Sequence, residues 1–137
     1  MMWIARHIRL LMTVSGLLTL TMVYAVVAPE AAVQSTFGEP LSGPIANVVV
    51  RNWGALIGLM GAMLIYAAGK PALRTMALTV AGTSKAVFIA LVPSNGGRFL
   101  GYQAGVAVFV DLLWVLVFAL YLVTQSKEVI EKPLATL

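Results

Sequence analysis

The apolar residues of this chain fall into four long blocks instead of alternating with polar ones, and each block ends at proline, glycine or a polar run. The first extends from about Leu10 to Ala28 and stops at Pro29-Glu30. The second extends from about Ala46 to Ala68, between Ser42-Gly43-Pro44 and Gly69-Lys70-Pro71. The third runs from about Thr75 to Val92 and meets Pro93-Ser94-Asn95-Gly96-Gly97. The fourth runs from about Gln103 to Thr124, ahead of Gln125-Ser126-Lys127-Glu128. Blocks of about 18–23 residues, rising 1.5 Å per residue as helices, cross a hydrocarbon core of about 30 Å. Breakers at each junction are what helix ends require. The pattern predicts an all-α membrane protein, a four-transmembrane-helix antiparallel bundle forming a single domain over 1–137, with an outer loop over 29–45.

Composition strengthens this reading. The chain is 61% hydrophobic and 10% charged, where a soluble domain carries about 25% charged residues. Its mean hydropathy is +0.96. So few charges do not cover a water-facing surface. There are no cysteines, which excludes disulfides, thiolate catalysis and cysteine-held metal or iron–sulfur centres. The single histidine, His7, lies in the N-terminal flank and cannot cage a haem or metal alone. No cofactor is expected.

Net charge is +4, but the basic residues are dispersed and sit at span ends. That is a topology signal, with no basic–aromatic patch of the nucleic-acid type. If the spans alternate, Arg6, Arg9, Lys70, Arg74, Lys127 and Lys132 share one side, and only Arg98 and Arg51 lie toward the other. The positive-inside rule then places both termini and the 69–74 turn in the cytoplasm, with the 29–45 and 94–102 loops outside. This bias argues against a dual-topology transporter. Arg6, His7 and Arg9 ahead of an apolar run resemble a signal peptide with a cleavage point near Ala25 or Ala28. The run is long for a signal core, so a retained first helix is expected.

The 29–45 loop, with Glu30, Phe37 and Glu39, is either a cap over the outer end or a short interfacial helix. Trp3, Trp53, Tyr66, Tyr102 and Tyr121 lie near the expected interfaces and read as aromatic-belt anchors. The segment Lys127-Glu128-Val129-Ile130-Glu131-Lys132 reads as a solvated helix end with i,i+4 charge pairing.

Ionisable side chains inside apolar spans cost roughly 2.5–3.5 kcal/mol each at a helix centre, so Arg51, Lys85 and Asp111 are the candidates for chemistry. Counted from the outer ends, Arg51 lies roughly 8 Å deep, and Lys85 and Asp111 each roughly 12 Å deep. Matching depth on consecutive helices points to a Lys85–Asp111 ion pair. On the second span Arg51, Gly54, Gly58, Gly61 and Ala62 share a face, a small-residue seam where another helix approaches. The expected arrangement joins the second, third and fourth helices through small residues. It forms an outer-half polar pocket of Arg51, Lys85 and Asp111, with Asn52, Ser84 and Tyr24 as further donors. Asn47, Tyr102 and Gln103 add polarity at the rim. Two cations and one acid suit a small anion, a carboxylate or a lipid headgroup. The plainer alternative is an ion-pair network that locks helix register.

The run Arg51-Asn52-Trp53-Gly54-Ala55-Leu56-Ile57-Gly58, with Ser84-Lys85-Ala86-Val87-Phe88 and later Asp111, resembles the small bacterial four-helix membrane proteins of the BphX-like group, similar in appearance to DoxX-like proteins. The resemblance extends from about Tyr24-x-x-x-x-Pro29 to Tyr121. It implies a bacterial inner membrane. DoxX-like members are associated with membrane redox complexes and BphX-like ones with aromatic-degradation gene clusters, and the resemblance carries no catalytic residue over.

Three functions follow. The first is a non-catalytic accessory or assembly subunit, or a self-associating bundle, with membrane lipids, other membrane subunits or further copies of itself as partners and no nucleic acid. The second is a binder or carrier of a small lipophilic or anionic molecule in the outer-half pocket. The third, an intramembrane isomerase using Asp111, ranks last because no second carboxylate or histidine lies at depth.

Overall fold

The computed structural model describes the backbone of residues 2–131 and the side chains of residues 3–127. The charge pairing expected along Lys127–Lys132 lies outside the described side chains. Among the described residues the structure is all-helical: α1 (Met2–Leu20), a 3₁₀ turn (Thr21–Val23), α2 (Tyr24–Val27), α3 (Pro29–Phe37), α4 (Pro44–Ala68), α5 (Pro71–Ser94) and α6 (Gln103–Glu131). Four segments are long and apolar enough to cross a membrane: Trp3–Val27, Pro44–Ala68, Pro71–Ser94 and Gln103–Lys127.

Helices start and stop where the chain dictates. Proline opens α3, α4 and α5, at the position where its missing N–H costs no hydrogen bond. Gly38 ends α3 in the left-handed region, its N–H bonded to the Gln34 carbonyl at 2.9 Å, the usual glycine stop. Arg74 donates from Nη2 to the Ala68 carbonyl at 2.8 Å, satisfying the end of α4. The observed helices are longer than the apolar blocks. The first begins at Met2 instead of Leu10, and the third passes through Pro93. A hydropathy block marks the part that is apolar, whereas backbone hydrogen bonding continues into the polar flanks.

The small-residue seam packs against the first span, not against the third or fourth. A Cβ on Gly61 would lie 2.6 Å from the Gly16 carbonyl oxygen and the Leu20 nitrogen, one on Gly58 2.4 Å from Val23, and one on Gly54 2.8 Å from Ala25. The register is therefore Gly61 beside Gly16 and Leu20, Gly58 beside Val23 and Gly54 beside Ala25, with numbers rising along one span as they fall along the other. Sequence located the seam on α4 but not its partner, because small residues sit on several helices and only packing chooses among them.

Below this seam Ile8, Met12, Leu64, Ala67, Leu78, Ala81, Phe118 and Tyr121 form the buried core. Tyr121 is 7% exposed, so it is a core residue and not a belt anchor. At the other end α3 lies over the bundle. Phe37 stands edge-on to Phe99 at 5.3 Å and packs beside Trp53 at 6.2 Å. The 29–45 segment is thus a short helix and a cap at once.

Candidate functional site

Lys85 projects from the buried face of α5, in line with Ala77, Leu78, Ala81 and Val92. Its ammonium pairs with the Asp111 carboxylate on α6 and donates to Thr19 Oγ1 on α1 at 3.3 Å. The two charged side chains are only 10% and 18% exposed, so this pair is not a solvent-screened surface contact. Thr19 Oγ1 in turn donates to the Ser15 carbonyl at 2.8 Å. One ammonium therefore ties three helices together, and mutual neutralisation is what makes either charge tolerable at this depth.

Arg51 does not join this pair. Its Nε donates to Asn47 Oδ1 at 2.8 Å and its Nη1 to the Val26 carbonyl. Asn47 Nδ2 donates onward to Glu30 Oε1 at 2.9 Å. The two cations touch the first span at Val26 and Thr19, seven residues apart, or about 10 Å along a helix. The expected single pocket is thus two separate networks. The cause is side-chain direction: helical side chains lean toward their own N-terminus. Helices α4 and α5 are joined by the two-residue turn Gly69-Lys70, so Arg51 leans outward while Lys85 leans toward the bundle centre. Depth counted at Cα does not carry this.

The remaining candidates divide in the same way. Tyr24 hydroxyl shares a 2.9 Å hydrogen bond with Ser35 Oγ, fastening α3 to α2. Asn52 is exposed and Ser84 half-buried, and neither makes a side-chain hydrogen bond among the described residues. Gly54, Gly58 and Gly61 carry helix packing, as above. Arg98 pairs with Glu39, drawing the 94–102 loop to the cap. Thr19, Ser15 and Glu30 are the participants that sequence reasoning did not assign. The i,i+4 hydroxyls Ser15 and Thr19 within an otherwise apolar span were the available signal. Ser15 Oγ is buried with no hydrogen-bond partner among the described residues.

Two cavities lie at the end of the bundle that α3 covers. One of about 480 Å³ is lined by Glu30, Leu41, Gly43, Pro44, Asn47 and Val48. The other, about 200 Å³, lies among Phe37, Trp53, Phe88, Leu91 and Phe99. Neither is lined by Lys85 or Asp111.

Four apolar helices around an internal ion pair define a multi-pass membrane protein of the four-helix type. No family model, curated protein or solved structure matches the chain.

Proposed function

We propose that the protein is a non-catalytic accessory or assembly subunit of a larger membrane complex, or a self-associating bundle. It adopts an antiparallel up-and-down topology in a bacterial inner membrane, with both termini cytoplasmic. The observation that carries this reading is the largely buried Lys85–Asp111 pair: the ammonium is satisfied by Asp111 and Thr19, and the two side chains are only 10% and 18% exposed. A buried pair that satisfies its ammonium fixes helix positions. The opposed numbering across the α1–α4 seam and the cation bias of the loops support the topology. The location and the association with a complex are part of the proposal and rest on likeness to BphX-like proteins for the first and to DoxX-like proteins for the second.

The partner has a place to dock. Ala72, Thr75, Thr79, Thr83, Ala86 and Ala90 are all exposed along α5, at the 3–4 spacing that lets a second helix approach closely in a membrane. The glycines of α4 are not available for this, because α1 covers them. Native mass spectrometry of the protein extracted from its own membrane tests the reading. A larger assembly is expected, and Thr83→Leu with Ala86→Leu should release the monomer. A monomer carrying a stoichiometric small molecule overturns the proposal.

A second reading, binding of a small lipophilic molecule, rests on the aromatic cavity beneath α3. At about 200 Å³ it lies under the roughly 300–1,000 Å³ of ordinary small-molecule sites, so it would take a single ring or a segment of acyl chain.

A further inference from the structure

The charges of this protein are matched everywhere except at one end. Lys85 pairs with Asp111, Arg98 pairs with Glu39, and Arg51 is linked to Glu30 through Asn47. Those three cations and three acids cancel. The entire net charge of +4 therefore falls on the N-terminal flank, the 69–74 turn and the C-terminal segment, where the sequence has six cations against two carboxylates. Packing of Ile4, Ala5 and Ile8 with Ala67, Ala68, Ala77, Tyr121 and Leu122 brings the N-terminal flank, the 69–74 turn and the Tyr121–Leu122 stretch of α6 to one end of the bundle.

Three of the cations lie at one level of the bundle, by the register of the α1–α4 seam. Gly16 lies against Gly61 and Ile65. Two turns back along α1 is Arg9, and the same two turns along α4 lead to Ala68–Lys70. Lys70 is held in place, its Nζ donating to the Tyr66 hydroxyl and lying 4.4 Å from that ring's centre. Arg74, one turn into α5, is held by the Ala68 carbonyl, and its Nε is buried with no acceptor among the described residues. Both flank the start of α5, which has no side-chain cap and no acid in its first turn. Cations at the positive end of a helix dipole repel it, so an anion there relieves both. Beside these cations Leu10, Tyr66, Leu73 and Met76 are exposed.

We propose that Arg9, Lys70 and Arg74 form a binding site for the headgroup of an anionic phospholipid, its phosphate against the two fixed cations and its acyl chains along the apolar flank. The flank decides between partners. A water-soluble acidic protein has no use for exposed leucine and methionine directly beneath the charges, whereas a lipid needs both surfaces together. The inference rests on the membrane-spanning fold and not on the accessory-subunit reading.

Native mass spectrometry of the detergent-purified protein with added dioleoyl phosphatidylglycerol, tetraoleoyl cardiolipin or dioleoyl phosphatidylcholine tests it. The anionic lipids should stay bound at activation energies that strip phosphatidylcholine. Arg9→Gln with Lys70→Gln and Arg74→Gln should lower their retention at least about tenfold, a loss of roughly 1.4 kcal/mol. Arg98→Gln, one cation removed at the opposite end, should leave retention unchanged. Equal retention by the triple variant, an equal loss in Arg98→Gln, or equal binding of phosphatidylcholine overturns the site. So does recovery of the wild-type protein with an acidic protein on this face in place of lipid. If the triple variant does not fold, thermal unfolding of the wild type decides. Phosphatidylglycerol must raise the midpoint over phosphatidylcholine, and 0.5 M NaCl must diminish the rise; identical midpoints overturn the proposal.

Discussion

Removing the Lys85–Asp111 pair one partner at a time, and then entirely, tests the central feature of the bundle. Lys85→Met leaves the Asp111 carboxylate at depth with no counter-charge, and Asp111→Leu leaves the ammonium with Thr19 Oγ1 as its remaining acceptor. With side chains only 10% and 18% exposed, solvent offers little compensation. Each single change should cost about 3–5 kcal/mol, the range for stripping one partner from a buried pair. Independent effects would add to about 6–10 kcal/mol in the double variant. The pair predicts otherwise: both changes together replace two charges with apolar groups of similar size, leaving stability near wild type or higher by about 1–4 kcal/mol. Thr19 loses little, because its hydroxyl still donates to the Ser15 carbonyl. Reversible unfolding in mixed micelles supplies the four stabilities of the cycle. A double variant no more stable than the weaker single refutes the pairing, since the charges would then act independently.

Other expectations follow from particular contacts. Gly61→Ala should cost at least about 1–3 kcal/mol, as overpacking does, and no side-chain truncation on α1 should rescue it, because the added Cβ meets the backbone of Gly16 and Leu20. Gly58→Ala clashes with Val23 Cγ2 at 2.4 Å while Val23 Cβ stays at 3.2 Å, so Val23→Ala should restore most of its stability; failure of that rescue in the same unfolding assay would place the seam elsewhere. Phe37→Ala removes two aromatic contacts worth about 0.5–1.5 kcal/mol each, and proteolysis within 38–43 should accelerate accordingly; an unchanged cleavage rate would mean that the cap is held by other contacts. A reporter fused at Leu137 should read cytoplasmic, and a periplasmic reading reverses the topology proposed here.

How far the candidate site was legible depended on what each residue needed from its neighbours. Lys85 and Asp111 were singled out because a charge within an apolar run is costly wherever it sits, and equal depth on consecutive helices brought them together. Arg51 looked equivalent by the same count, yet its guanidinium leans outward to Val26 and Asn47. Asn52 and Ser84 were drawn in by nearness in sequence, but Asn47 and Thr19 supply the hydrogen bonds. The difference is rotational: a residue next in sequence is turned about 100° around a helix, so a neighbour in the chain is usually not a neighbour in space.

By itself the sequence determined the four spans, most of the junctions between them and the end that carries the net charge. Each of these is set by local composition: apolar length, proline and glycine at junctions, and the side on which lysine and arginine fall. Only the tertiary structure decided that α1 covers the glycines of α4, that Tyr121 is buried, that α3 folds over one end of the bundle, and that Arg51 is separated from Lys85. Those facts depend on which helix faces which, and with what lean. They are fixed by packing of whole faces against one another, and no single stretch of the chain contains them.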